Sequence, residues 1–406
     1  MTQRIKILYL SQLFTHTAGG GEHVFREYAE HFSEQGENVY VVCQLSNLSA
    51  NPSGGVKIYQ VTPPVSGFLP KTSDSLFYFL KGISTGIRVV SDYEIQLIHS
   101  NNFVSMLVGS VVSIITGVPH IATIHHVFTI SRMKVTRPQS GSAWSFSLFT
   151  SVKQAFLSVS LKLSRQQLII VPSKKSLDDL RYLGYKGAVT IVSNGITMPE
   201  ERLTNSLTAM KLNSSTKPFF LFLGRHIFYK NLDTVIKAFK IVTAKNPEAN
   251  LIVSGDGPMC AKWKNLTKDL NLENNIQFVG FINEKEKEVL LENCTALVFP
   301  SVVEGFGLTI LEALAMAKPV LVADIEPINE LVESSVDGYK IARYYDENEW
   351  AEKIISMLNS PQKTKEMGTK GKQKIIEKYL VSEVFESIEN LYRQNLKYKQ
   401  AENRHA

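Results

Sequence analysis

Between residues 296 and 322 the chain reads ALVFPSVVEGFGLTILEALAMAKPVLV, and this segment limits the fold more than any other. Two short apolar runs, Ala296-Leu297-Val298-Phe299 and Val320-Leu321-Val322, flank a glycine-bearing loop and an apolar stretch of helix length that begins near Leu308. Strand, loop, helix, strand is the repeating unit of a parallel sheet with crossover helices. In such sheets ligands bind outside the carboxyl ends of the strands. A helix N-terminus at that place offers unpaired N–H groups and the positive end of a dipole to a phosphate. Glu304 falls in the loop beside Gly305-Phe306-Gly307, and Glu312 lies eight positions on, about one turn inside the helix. The arrangement suits a phosphate that carries hydroxyl-rich groups.

The same alternation runs along the whole chain. Strand-like runs at 5–10, 39–43, 95–99, 120–124, 168–172 and 189–192 are separated by helical patterns that include 22–35, 103–116, 142–164 and 175–183. A polar stretch follows. A second series then places strands at 219–223, 250–253, 276–279, 296–299 and 319–322, with helices near 231–245, 259–270, 284–293 and 308–315. Beyond Gly338 the pattern becomes helical and charged, from 346 to 400. A chain of 406 residues is long enough for two domains. The expected fold class is therefore α/β, with two Rossmann-like α/β/α domains facing a central cleft and C-terminal helices packing at the junction. The expected boundaries are 1–196 and 218–380 for the domains, 197–217 for a linker, and 381–406 for a helix returning towards the first domain.

Composition excludes several classes. With 44% hydrophobic and 20% charged residues the chain has ample core and no disordered character. Cys43, Cys260 and Cys294 are too scattered for a disulfide framework or a zinc spacing, which points to a reducing cytosol. The apolar run at Ile7–Leu10 is too short for a signal peptide and reads as a first strand. The stretch 103–119 is interrupted by serine, threonine and glycine and reads as a buried crossover helix, not a membrane span.

Charge is unevenly placed. The first 200 residues hold 17 Lys/Arg and 11 Asp/Glu, so they carry the entire net charge of +6. No acidic residue occurs between Glu94 and Asp178, a gap that contains Arg132, Lys134, Arg137, Lys153, Lys162 and Arg165 among Trp144, Phe146, Phe149 and Phe156. A basic amphipathic segment of this kind, Arg132 to Arg165, fits an anionic membrane surface; a core helix with a solvated basic face is the other reading. No nucleic-acid-binding module is visible, so nucleic acid is not an expected partner.

Three further loops follow strands. Gly19-Gly20-Gly21-Glu22 lets the backbone approach a ligand, although it lacks the spacing of a dinucleotide fingerprint. Gly224-Arg225-His226-Ile227-Phe228-Tyr229-Lys230-Asn231 places a planar donor fork and a point charge in one loop, a combination suited to a diphosphate. His125-His126 ends a strand, where His125 can reach a substrate; no third ligand stands at zinc spacing. There is no Asp-x-Asp, P-loop, nucleophile elbow, kinase signature or zincin motif.

Taken in order, these motifs resemble the retaining glycosyltransferases of the GT-B fold, family 4 (group 1 type). The resemblance spans Gly19-Gly20-x-Glu22, Ile98-His99-Ser100-Asn101, Gly117-Val118-Pro119 before Thr123-x-His125, Val171-Pro172-Ser173 and Ser193-Asn194-Gly195-Ile196. It continues through Gly224-Arg225 with Lys230-Asn231, Gly255-Asp256-Gly257-Pro258, Phe278-Val279-Gly280, and Glu304-Gly305-Phe306-Gly307-Leu308 to Leu311-Glu312-Ala313. Two positions depart from the family: His126 stands where an acidic residue is common, and Ala317 where glycine is usual.

The resemblance implies transfer of a hexose from a nucleotide-diphosphate-sugar (UDP- or GDP-linked) to a glycan or lipid-linked acceptor, at the cytoplasmic membrane face, without a metal or other cofactor. It implies an acceptor-side first domain and a nucleotide-sugar-binding second domain. Arg225 and Lys230 would neutralise the departing diphosphate, Glu304 would bind the transferred sugar, and Glu312 the ribose. Gly224, the loop from Gly305 through Phe306, Gly307 and Leu308 to Thr309, and the backbone near Phe281 would complete the donor site. His125 would contact the donor sugar, and Gly19 and Gly20 would line the diphosphate and acceptor. Two alternatives are a sugar-nucleotide epimerase on the same fold and a two-domain sugar-nucleotide-binding protein without catalysis.

Overall fold

The computed structural model describes residues 4–14, 20–46, 55–61, 71–125, 158–162, 164, 166–199 and 217–405. They divide into two compact units, one of Met1–Asn194 with Glu383–Ala406 and one of Gly195–Ser382.

In the first unit, strands β1 (Lys6–Phe14), β2 (Asn38–Ser46), β3 (Lys57–Gln60), β4 (Leu97–Asn101), β5 (His120–Thr123), β6 (Leu168–Val171) and β7 (Val189–Ile191) form one parallel sheet. Their order is β3-β2-β1-β4-β5-β6-β7. Helices α1 (Gly20–Glu34), α2 (Lys71–Tyr93), α3 (Asn102–Thr116) and α4 (Lys174–Tyr182) connect them. In the second unit, β8 (Phe219–Leu223), β9 (Asn250–Ser254), β10 (Ile276–Gly280), β11 (Ala296–Phe299), β12 (Val320–Ala323) and β13 (Gly338–Ile341) form a parallel sheet in the order β10-β9-β8-β11-β12-β13. Its helices are α5 (Leu232–Lys245), α6 (Cys260–Asp269), α7 (Glu284–Asn293), α8 (Leu308–Ala315), α9 (Ile328–Leu331), α10 (Glu347–Asn359) and α11 (Pro361–Lys378). A last helix, α12 (Val381–His405), belongs to the first unit from Glu383 onward.

The central strands of the second unit are continuous apolar runs because both faces are covered. Every residue of β8, β9, β11 and β12 is buried. Alternate residues feed two separate cores: Phe220, Phe222, Val298 and Leu321 pack on one face. Phe219, Leu221, Leu223, Leu297, Phe299, Val320 and Val322 pack on the other. This is the two-residue period of a strand. Each fully buried Phe, Leu or Val contributes about 1.5–3 kcal/mol relative to exposure.

The structure adds elements that periodicity did not show. β3 is a four-residue edge strand with no buried position, so its sequence carries no core signal. α2 contains Gly82 and Gly86. They face Val108 and Val112 of α3, where an added Cβ would stand 3.3 and 3.0 Å away, so the glycines permit close helix packing. β13, which lies just before the helical stretch expected from 346, was not among the expected strands and is held by parallel pairing to β12. Ala317 adopts φ 56°, the left-handed conformation for which glycine is the ordinary residue.

Within the first unit, α12 is anchored through a buried polar chain. The Tyr392 hydroxyl lies 2.8 Å from that of Tyr9 and 2.6 Å from His99 Nδ1. The opposite ring nitrogen of His99 is 2.7 Å from Thr123 Oγ1. Burial, with His120 and His125 nearby, holds the His99 pKa well below its ordinary value, so the chain is one of neutral groups.

Candidate functional site

Strand order decides which loops meet. In the second sheet β8 and β11 are neighbours, and the chain leaves them towards opposite edges, so their carboxyl ends form a topological switch point. The loop after β8 runs from Gly224 to a 3-10 turn at Phe228–Lys230. The loop after β11 runs from Ser301 to Gly307. A backbone bond ties them, Val302 N–H donating to the Tyr229 carbonyl at 2.9 Å.

Across that junction Lys230 Nζ lies 2.8 Å from Glu304 Oε2. Both side chains are largely removed from solvent, with 12% and 20% exposure, so the pair is less screened than a surface ion pair. The Ser301 hydroxyl is 3.0 Å from the same carboxylate oxygen, and Lys230 Nζ stands 4.9 Å from the Phe299 ring centre. Arg225, exposed in the same loop, acts on Tyr229 together with Glu304. Burial, reinforced by Glu304 and opposed by Arg225, raises the Tyr229 pKa.

Gly307, at φ 107°, is the N-cap of α8, and no side chain caps the helix. The first-turn N–H groups at Leu308 and Thr309 are therefore not claimed by a capping side chain. Phe306 is buried in the core cluster that contains Ile310 and Leu311. Glu312, further along α8, is held by Lys287 of α7 at 2.9 Å, and Lys287 also pairs with Glu284. Burial opposes the charge on Lys287, but Glu312 and Glu284 outweigh it and raise its pKa. Phe281, 80% exposed after Gly280, stands beyond the carboxyl end of β10.

In the first unit the equivalent switch point lies between β1 and β4. Gly20 and Gly21 open α1 there, whereas Gly19 lies outside the described residues, as does nearly all of Arg132–Arg165. Glu22 accepts a hydrogen bond from Asn102 Nδ2 at 3.2 Å, and burial raises its pKa against its own backbone N–H and Asn102. His125 is 6% exposed and packs on the α1 entry: a Cβ added to Gly21 would stand 2.7 Å from His125 Cβ. Among the described residues neither His125 ring nitrogen has a hydrogen-bond partner of good geometry. Burial pushes its pKa down to about 4, against the nearby Asn194 side chain, so the ring is neutral at pH 7.

The structure thus joins Lys230 with Glu304 and sets Arg225 beside them, while it pairs Glu312 elsewhere. Sequence reasoning missed Ser301 and Lys287. The spacing Glu284-x-x-Lys287 was visible as a helical ion pair, but nothing local links Lys287 to Glu312. It also missed Gly21 as the residue whose missing side chain makes room for His125.

Among the described residues no helix is long and apolar enough to cross a membrane. The model of Glycosyltransferase Family 4 matches residues 18–198, and that of Glycosyl transferases group 1 matches residues 207–374. An uncharacterised glycosyltransferase of Methanocaldococcus jannaschii is 25% identical over 299 residues, 73% of this chain and 75% of that one. Alpha-monoglucosyldiacylglycerol synthase of Streptococcus pneumoniae is 25% identical over 292 residues, 68% of this chain and 62% of that enzyme. The fold matches that of Anabaena HepE, solved with UDP and glucose, at TM-score 0.77 and 19% identity over 96% of this chain and 99% of that one. With one family match on each half and two parallel α/β sheets of Rossmann type, the chain belongs to the glycosyltransferases of the GT-B fold.

Proposed function

We propose that this glycosyltransferase moves a hexose from a nucleotide-diphosphate-sugar to a glycan or lipid-linked acceptor with retention of anomeric configuration and without a metal. The observation that carries the proposal is the Lys230–Glu304 pair at the β8/β11 switch point, beside a helix N-terminus without a side-chain cap. A cation, a carboxylate and a dipole end at one junction match the three parts of such a donor. The diphosphate takes Lys230, Arg225 and the amides at Leu308 and Thr309; Glu304 is released to the sugar hydroxyls. Glu312 exchanges Lys287 for the ribose hydroxyls, and the exposed Phe281 borders the base. Gly224 leaves the diphosphate room beside Lys230.

The bond from the anomeric carbon to the diphosphate oxygen breaks, placing positive charge on the sugar and negative charge on the leaving group. The acceptor oxygen bonds to the same face, and its proton goes to the departing phosphate oxygen. Fixed cations and a helix dipole stabilise the charge that develops, an effect worth about 3–4 kcal/mol per well-placed donor. A covalent intermediate on protein requires two carboxyls flanking the anomeric carbon. Glu312, engaged by Lys287 and assigned to ribose, does not supply the second. We assign His125 and Gly20 to the transferred sugar and acceptor, and an anionic membrane surface to the Arg132–Arg165 segment as the place where a lipid-linked acceptor is met. Work at the inner, cytoplasmic face follows from that assignment, which the family relation to a glucosyldiacylglycerol-forming enzyme supports.

A thermal-shift series with UDP-, GDP- and ADP-sugars tests the donor assignment. A ligand at about 100 times its Kd adds about 2.7 kcal/mol to apparent stability, a shift readily measured. One nucleotide class should raise the midpoint in the absence of any divalent cation. No shift with any of them overturns the reading. Incubation with that donor alone should return the sugar unaltered, whereas an epimerised sugar would replace transfer by isomerisation.

Gly21→Ala tests the first unit. The new methyl displaces His125, so kcat should fall at least about tenfold with little change in stability of the second unit's transition; a 1 Å misplacement near the reacting atoms costs up to about 100-fold. Wild-type kcat in a folded variant would remove His125 from the site.

A further inference from the structure

His226, between Arg225 and Ile227 in the loop after β8, is fully buried; among the described residues neither ring nitrogen has a hydrogen-bond partner of good geometry, although the Ser254 backbone lies near enough to act on the ring. Its ring is enclosed by Phe222, Trp263 and Phe278, with centroid separations of 6.2, 5.1 and 6.2 Å. A buried imidazole without partners costs free energy on the order of 1–3 kcal/mol, so a ligand for it is called for. Two other metal-binding side chains face it: ligand atoms of His226, Asp256 and Cys260 all lie within 4.8 Å of one another.

We propose that His226, Asp256 and Cys260 form a zinc-binding site distinct from the carboxylates of the donor site. Imidazole, thiolate and carboxylate are the three ligand types zinc accepts, and the three together balance its charge when the thiol loses its proton. Lys264 lowers the His226 pKa and, as a cation, opposes binding. The open side is at Asp256, which is exposed, and water completes a four-coordinate sphere there.

The site rests on rigid backbone. His226 N–H donates to the Asp256 carbonyl at 2.8 Å, and Met259 N–H donates to the His226 carbonyl at 2.9 Å. Gly257 allows this approach, because a Cβ there would come within 2.6 Å of the His226 carbonyl oxygen. Asp256 and Cys260 stand four positions apart at the start of α6, and His226 comes from the neighbouring strand's loop. Sequence spacing between the cysteines could not show such a site, since only one cysteine takes part. Zinc here would brace the loop that carries Arg225 and Lys230. Its binding is measured without turnover, so its failure and a failure of the glycosyl-transfer reading are separate results.

The test uses the full chain, stripped of metal, in equilibrium dialysis against zinc chloride with a competing chelator. The expected result is one zinc per chain, with affinity lowered more than about 100-fold in both Cys260→Ser and Asp256→Asn, since even outer-shell partners cost about 10–100-fold. Both positions are partly exposed, so the variants should fold, which circular dichroism checks. Cobalt(II) in place of zinc should give a thiolate charge-transfer band in the wild type that is absent from Cys260→Ser. Failure of the wild-type chain to hold zinc, or unchanged binding in either variant, overturns the proposal.

Discussion

Replacing Lys230 with Ala should lower glycosyl transfer about 100- to 1,000-fold at saturating donor, because one fixed positive donor to the developing charge is worth about 3–4 kcal/mol. On the proposed reading the side chain has two roles. It holds Glu304 at 2.8 Å before the donor arrives, and it would supply charge to the diphosphate afterwards. Its loss would therefore leave a carboxylate of 20% exposure near the proposed diphosphate site. The expected signature is a fall in kcat larger than the rise in KM, since the leaving group carries more charge in the transition state than in the bound donor. Lys230→Arg should recover part of the rate, as charge is kept while the compact ammonium is replaced by a broad planar fork. The measurement is initial rate against donor concentration, with far-ultraviolet circular dichroism to establish that the fold is intact. A folded Lys230→Ala enzyme with wild-type kcat would exclude the switch-point assignment.

The largest stability effect should come from Gly255→Ala, at the carboxyl end of β9. Gly255 has φ 120°, a conformation that L side chains rarely adopt, and a Cβ there would overlap the Gly224 carbonyl oxygen. Its own N–H donates to the Gly280 carbonyl at 2.8 Å, so the residue links the ends of three adjacent strands. Backbone strain of about 1–3 kcal/mol adds to overpacking of about 1–3 kcal/mol, for an expected loss of about 2–6 kcal/mol. Against a total stability of about 5–15 kcal/mol, that change should leave the second unit close to unfolding at physiological temperature. Urea unfolding followed by tryptophan fluorescence reads it, since Trp263 and Trp350 are both buried in this unit. A loss below about 1 kcal/mol would show that the β8 and β9 loops are not packed as described.

Much of this site was legible in the sequence, for a local reason. Arg225, Lys230, Glu304 and the glycines of the β11 loop lie in short segments whose strand–loop–helix pattern places them at strand ends whatever the partners of those strands. The buried runs Phe219–Leu223 and Ala296–Phe299 were recognisable because each is apolar along its entire length. Elements whose stability is borrowed from neighbours were not. β3 has no buried position, β13 forms by pairing with β12, and α2 depends on glycines that admit α3. Lys287 escaped notice because its partner Glu312 lies 25 positions away on another helix. Cys260 was set aside as an isolated thiol, whereas folding brings it to His226, whose place in sequence is the preceding strand's loop.

By itself the sequence determined the two α/β series, the loops that carry charge, and the helix start at Leu308, since periodicity and glycine placement act within a few residues. Only the tertiary structure decided that β8 and β11 are neighbours, so that Lys230 meets Glu304 across 74 positions. It alone decided that Glu312 is held by Lys287 and that Gly21 makes room for His125. The physical reason is that an apolar strand specifies burial and a two-residue period but not a partner. Partner choice emerges when all strands and helices compete at once to cover the same apolar faces.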